Sequence, residues 1–268
     1  MDLVVAGGGR CGARALARWL RPPRDVGVRT IDLTGVGFVE PVGLVFLATF
    51  AAAAVAAGDA VRVHTPADVT GGTYLARMRV GRVLEQLGVE HRLPSVRERN
   101  RRGELLELRM FDGEGEVDPL AELVHERVAP VDAGAARALH TAVAELGANV
   151  PQHSGGARGF MAAQTFARTG EVLFAVGDAG CGLQAGLAVR GAGSDVDAAH
   201  MALSGVSRLG PQRGVGLRTV VGMAGRLRGD MHLVSGHAAV TATRGARRMQ
   251  ESAHPVAGTL LQCRVPCG

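Results

Sequence analysis

Two kinds of hydrophobic pattern alternate along the first half of the chain. Short apolar runs at Leu3–Val5, Val26–Leu33 and Ala60–His64 read as strands. Between them lie helix-like stretches: Ala13–Leu20, an uncharged Ala-rich segment from about Gly43 to Ala57, and Tyr74–Leu87, which Gly88 stops. Strands alternating with helices predict an α/β layer. Leu105–Met110 reads as one more strand, and the acidic, Gly-rich stretch from Phe111 to Pro119 as a link between two halves. In the second half a helix at Leu120–Val128 leads to Pro130, and Asp132 is placed to cap the helix that follows. Strands are expected at Glu171–Val176, Arg228–Ser235 and Thr259–Val265. A further helix opens at Gly214. The segment from Gly182 to Gly214, with glycine at both ends and small or polar residues inside, reads as a lid.

Length and composition narrow this picture. The 268 residues leave room for two domains, each able to bury a core. The run from Pro41 to Gly58 approaches the length of a membrane span, but its alanines make it too weakly apolar, so a buried helix is expected. All 30 Lys+Arg residues are arginine, which excludes a P-loop lysine. The net charge of +5 is modest, and the cluster Arg97, Arg99, Arg101 and Arg102 reads as a solvated loop, so no nucleic-acid partner is expected. Cys11, Cys181, Cys263 and Cys267 show no C-x-x-C spacing. Neither a zinc site nor a disulfide framework is indicated, and with no signal peptide the expected location is cytoplasmic, with no membrane contact.

Three motifs in the second half carry the chemistry. In Glu145-Leu-Gly-Ala-Asn149-Val-Pro-Gln-His153, the i, i+4 spacing puts a carboxylate and a carboxamide on one helix face. Pro151 should end or kink that helix by clashing with the Gly147 carbonyl, leaving Glu145 and Asn149 before the break and His153 beyond it. Asp178-Ala-Gly180-Cys-Gly182 places an acid on a glycine turn after the apolar run Val172–Val176. Gly214-Val215-Gly216-Leu217 puts a glycine pair at a helix start, where backbone N–H groups can hold phosphate. Each motif alone has an ordinary reading as a polar helix face, a turn or a chance glycine pair. Their conjunction is the equipment for a nucleoside triphosphate. An Asn oxygen suits Mg²⁺, a carboxylate one turn away can serve as general base, and a carboxylate beyond a strand can accept from the adenine amino group.

The ordered set resembles the GHKL (Bergerat-fold) ATPases, which include gyrase, Hsp90, histidine kinases and the anti-sigma-factor serine kinases. Glu145 and Asn149 match the first box, Asp178, Gly180 and Gly182 the second, and Gly214 and Gly216 the third. Gly258-Thr259 matches the element that closes the adenine pocket. The resemblance covers roughly residues 132 to 266. It implies ATP and Mg²⁺ as cofactors, Glu145 as catalytic base and Asn149 as metal ligand. Gly180, Gly182, Gly214, Val215, Gly216, Leu217 and Thr259 would contact nucleotide. Ala148 stands where the family carries an acidic or polar residue. No helical hairpin with a phosphoacceptor His is apparent, and the lysine that gyrase and Hsp90 bring to the terminal phosphate is absent, leaving Arg213 or Arg208 to substitute. The implied activity is ATP hydrolysis or phosphorylation of a partner protein on Ser/Thr. The implied partner is a sigma factor or antagonist-like regulator, and a homodimer is compatible. A non-catalytic ATP sensor is the alternative.

In the first half, Ile31-Asp-Leu-Thr-Gly-Val-Gly-Phe-Val-Glu40-Pro41-Val-Gly43-Leu44 is similar to the core of STAS domains. There a strand leads to an acidic-Ser turn and a helix, and a GHKL kinase phosphorylates the serine. Glu40 holds the acidic position, but Pro41 replaces the serine and has no hydroxyl to modify. The expected architecture is α/β throughout: a STAS-like layer over residues 1–112 and a GHKL sandwich over residues 117–268, with helices on one face of a mixed sheet. A competing signature is Gly7-x-Gly9-x-x-Gly12 after a short strand, with Asp32 ending the next strand, the pattern of a Rossmann NAD(P)-binding oxidoreductase.

Overall fold

The computed structural model describes residues 1–5, 16, 18–97, 104–113, 115–153, 158–207, 215–243 and 246–268, without the side chains of Asn149 and residues 151–153. Strands β1 (Asp2–Val4), β2 (Leu20–Arg21), β3 (Val28–Asp32) and β4 (Ala60–His64) form one sheet in the order β2-β1-β3-β4. β1, β3 and β4 run parallel, and Ile31 aligns with both Leu3 and Val63. Helix α1 (Pro41–Ala56) joins β3 to β4. Proline suits its first position, since the first N–H of a helix has no internal acceptor to lose.

The expected single helix over residues 74–87 is two. α2 (Val69–Arg77) and α3 (Val80–Gln86) are separated at Met78 and Arg79, where Arg79 takes φ 59°. The Met78 carbonyl accepts the Leu108 N–H at 3.1 Å, so a distant strand captures a group that a continuous helix would have used. Gly88 stops α3 as expected, with φ 74°, its N–H bonded to the Glu85 carbonyl and that of Val89 to Leu84.

The second sheet comprises β5 (Leu105–Phe111), β6 (Gly159–Phe166), β7 (Glu171–Asp178), β8 (Asp230–Thr243) and β9 (Ala246–Pro266), in the order β5-β6-β7-β9-β8. Every pairing among these strands is antiparallel, so this is not the mixed sheet expected. β5, counted with the first half by its sequence position, is the edge strand here. β8 reverses within its own length. His232 Nδ1 lies 3.1 Å from Thr241 Oγ1, whereas nine residues of straight strand would span about 30 Å.

Helices α4 (Asp118–Val128), α5 (Ala133–His153), α6 (Gly182–Leu187), α7 (Asp195–Leu203) and α8 (Val215–Arg226) follow in chain order. α4, α5, α7 and α8 share a core with one face of the second sheet, through Leu120, Leu139, Leu203 and Val220 against Phe174 and Leu261. The opposite face belongs to another core, in which Phe160, Ala162, Ala175 and Leu260 of the second sheet meet Leu44, Val45 and Ala48 of α1 and Leu3 and Ile31 of the first sheet. α1 is therefore a middle layer between two sheets. This explains why it lacks a polar face, and among the described residues no helix is long and apolar enough to cross a membrane.

Polar ties cross the same junction. The buried Gln262 carboxamide oxygen on β9 accepts the Val42 N–H at 3.2 Å, at the open N-terminus of α1. Arg264 lies 3.3 Å from the carboxylate of Glu40, which is 1% exposed, and 3.7 Å from Asp230. Removing the cation from a buried pair is worth several kcal/mol, because the remaining charge keeps its desolvation cost. Arg264→Met is therefore expected to lower unfolding stability by about 3–5 kcal/mol, read by chemical denaturation. A loss below about 1 kcal/mol, the range of exposed pairs, would contradict the structural role given to this bridge.

Candidate functional site

Asp132 begins the construction of the site as the expected cap of α5: one carboxylate oxygen accepts the Ala135 N–H at 2.9 Å. The other accepts from Arg226 at 2.8 Å, which ties the start of α5 to the end of α8. α5 does not stop at Pro151 but runs to His153. Position 151 gives up its bond to the Gly147 carbonyl, and it lies only two residues before the end of the helix, so little helix follows the disruption. Asn149 lies on α5 one turn beyond Glu145; its side chain and that of His153 are outside the described residues. So are Gly214, Arg213, Arg208 and the arginines at 99, 101 and 102.

Glu145 and the start of α8 come together. Its Oε1 accepts the Val215 N–H at 3.0 Å, so the carboxylate caps α8 and meets the positive end of the helix. Gly216 lets the two helices close up, since a Cβ there would sit 3.2 Å from Glu145 Cβ and 3.1 Å from the Ala142 carbonyl.

β7 ends at Asp178, whose Oδ1 accepts the Gly180 N–H at 2.8 Å. Thr259 is its neighbour across the β7–β9 ladder. Gly258, at φ 70°, lets β9 pass over the Asp178–Gly180 turn, and a Cβ there would overlap the Asp178 carbonyl. Burial pushes the Asp178 carboxyl up to about 6, against the backbone N–H groups of Gly180 and Thr259, which pull it down.

These elements enclose a cavity of about 150 Å³ on the helix-covered side of the sheet. Leu146 and Val150 of α5, Leu187 of α6 and Leu217 of α8 wall it; Gly182 and Leu183 lie at the start of α6; Asp178, Thr259 and Ser207 supply its polar groups. Asp178, Gly182, Leu217 and Thr259 are thus brought together around one cavity. Glu145 is on the adjoining turn and faces α8. Asp32, of the dinucleotide signature, ends β3 in the other sheet, and Gly7, Gly9 and Gly12 lie outside the described residues. Burial alone would raise the Asp32 pKa, but hydrogen bonds from the Thr34 hydroxyl and N–H, at 2.6 and 3.0 Å, outweigh it and hold it below the ordinary value.

The motifs did not point to Ser235. Its hydroxyl, 2% exposed on β8, accepts the Leu183 N–H at 2.9 Å and donates to the Gly258 carbonyl at 2.9 Å. Its only sequence signal is a Ser-Gly pair closing an apolar run. Among the described residues no group of three or more His, Cys, Asp or Glu gathers to hold a metal ion. No protein-family model matches this chain, and comparison with curated proteins gave no match.

An acid with a raised native pKa binds its proton more tightly folded than unfolded. The associated stability is fully present below 3.8 and is lost as pH climbs through about 6. Asp178→Asn cannot titrate. Urea denaturation across this range should show wild type losing stability relative to Asp178→Asn as pH rises from 3.8 to about 6, with no further change above. A pH-independent difference would contradict the shielding of this carboxyl.

Proposed function

We propose that the cavity beside Asp178 binds the base of ATP, and that the protein is a Mg-ATP-dependent regulator of the GHKL anti-sigma-factor kinase type. The observation that carries this reading is the convergence of motifs far apart in sequence on one apolar cavity that holds a single carboxylate. Apolar walls of Leu and Val suit the faces of a purine, and the shielded Asp178 acceptor suits its amino group. Gly258 and Gly182 let β9 and the Asp178–Gly182 turn pack closely beside the cavity, where a Cβ would meet the Asp178 carbonyl or the Ser235 hydroxyl. These residues fit a nucleotide. A metal would be held differently, by Asn149 together with phosphate oxygens and water.

In this reading Leu146, Val150, Leu187 and Leu217 clamp the base, Asp178 and Thr259 meet its edge, and the start of α8 lies toward the phosphates. Bound Mg-ATP supplies the transferable phosphoryl group. Glu145 holds the α8 N-terminus with Oε1 and has Oε2 to accept a proton from water or from a partner's hydroxyl. The turn at Pro41 is not the acceptor, because Pro41 lacks a hydroxyl and is buried at the α1 N-terminus. In this reading the acceptor is a serine or threonine on another protein, a sigma factor or antagonist-like regulator.

Glu145→Gln keeps an oxygen for the Val215 N–H but cannot take a proton. It should bind ATP as wild type does and lose turnover by ~10²–10⁴-fold. Normal turnover in Glu145→Gln would reduce Glu145 to a cap of α8. Wild type that binds ATP but never turns it over, with any partner, would make the protein a nucleotide sensor. Asn149→Ala should remove the Mg²⁺-dependent part of ATP binding while leaving thermal stability unchanged; affinity for Mg-ATP equal to wild type would place the metal elsewhere.

A further inference from the structure

We propose that Ser235 sets the base preference of this site by fixing the direction of the Thr259 hydroxyl proton. This rests on the nucleotide reading above. A serine hydroxyl has one proton to give and two lone pairs to receive. The Ser235 proton is committed, because the Gly258 carbonyl at 2.9 Å can only accept. One lone pair takes the Leu183 N–H at 2.9 Å. The remaining contact is Thr259 Oγ1 at 3.3 Å, and with the serine proton already used, Thr259 must be the donor.

The consequence lies in the cavity. Thr259 lines it beside Asp178. With its proton turned toward Ser235, Thr259 presents only lone pairs to a ligand, and the ionised Asp178 likewise only accepts. The polar floor therefore receives hydrogen bonds and offers none from these two side chains. A purine carrying an amino group at the floor satisfies it, whereas one carrying a carbonyl there sets acceptor against acceptor. Ser235 touches no ligand in this account and is a positioning residue.

The position is rigidly held. Ser235 is buried, and the residues after it are tied to the lid. The His237 N–H donates to Asp195 Oδ2 at 2.8 Å, and Gly236, at φ 55°, leaves room for that carboxylate where a Cβ would overlap it. One turn of β8 thus secures the start of α6 through Ser235 and the start of α7 through Asp195. A hydroxyl held this way has little freedom to rotate to another pattern.

Ser235→Ala releases the Thr259 proton, which can then swing into the cavity and donate to a purine carbonyl. The test is equilibrium binding of ATP and GTP to wild type, Ser235→Ala, Thr259→Val and the double variant, with thermal stability recorded for each. The ATP-to-GTP affinity ratio should fall about three- to tenfold in Ser235→Ala, the worth of one neutral hydrogen bond, and should not fall through improved GTP binding in the double variant, which lacks the donor. A general loosening would weaken both nucleotides together and leave the ratio where it was. An unchanged ratio in Ser235→Ala, with ATP still bound, overturns the proposal and spares the nucleotide reading. Wild type that binds neither nucleotide overturns both. If Ser235→Ala does not fold, Thr259→Val decides: weaker ATP binding with GTP unaffected supports an accepting hydroxyl, and equal losses for both overturn it.

Discussion

The second sheet is apolar on both faces, and the rest of the molecule is organised around covering them. β7 carries Val172, Phe174 and Val176 toward the helices and Ala175 toward α1. A sheet buried on both sides cannot stand alone in water, so a layer must close the second face. α1 is that layer. Because α1 is apolar all round, it in turn needs a cover on its far side, which the first sheet provides. Each half of the chain thus supplies a surface that the other must bury.

The same strands connect this packing to the candidate site. β7 ends at Asp178, β9 carries Thr259 and β8 carries Ser235, all on or beside the cavity. Immediately before Asp178, Gly177 meets α1 from the other side, where a Cβ would lie 2.9 Å from Val45 Cγ1. A few residues beyond Thr259, β9 reaches across to α1 with Gln262 and Arg264. The floor of the cavity and the contact with the first half are therefore opposite surfaces of the same short stretches of backbone. Strain or motion on one is felt on the other through densely packed atoms.

How much of this could be read beforehand depended on whether the cause was local. β4 was legible over Ala60–His64, and Asp132 was legible as a cap, because both signals lie within a few residues. The burial of α1 was legible from its uniform apolarity, but not the two sheets that bury it. β6 gave no signal: with Met161 and Ala163 facing one core and Phe160 and Ala162 the other, it has no polar alternation. The break at Arg79 has no local mark, since the Met78 carbonyl is taken by Leu108 from another part of the chain. At the site, Asp178 and Gly182 stood out because acids and glycines at turns are conspicuous, and Leu217 and Thr259 only through the glycine motifs beside them. Ser235 did not, because its role lies in a hydroxyl count that only spatial neighbours reveal. Glu145 was expected to face a ligand, whereas it also caps α8 across a large gap in sequence.

The central claim is that the cavity beside Asp178 takes the base of ATP, with Mg²⁺ completing the site. The most direct measurement is calorimetric titration of the purified chain with ATP, ADP, GTP and NAD, each with and without Mg²⁺. The account predicts saturable binding of ATP that Mg²⁺ strengthens, weaker binding of GTP and none of NAD. Failure to bind ATP would contradict it, as would binding of NAD that disappears on changing Gly9 or Asp32.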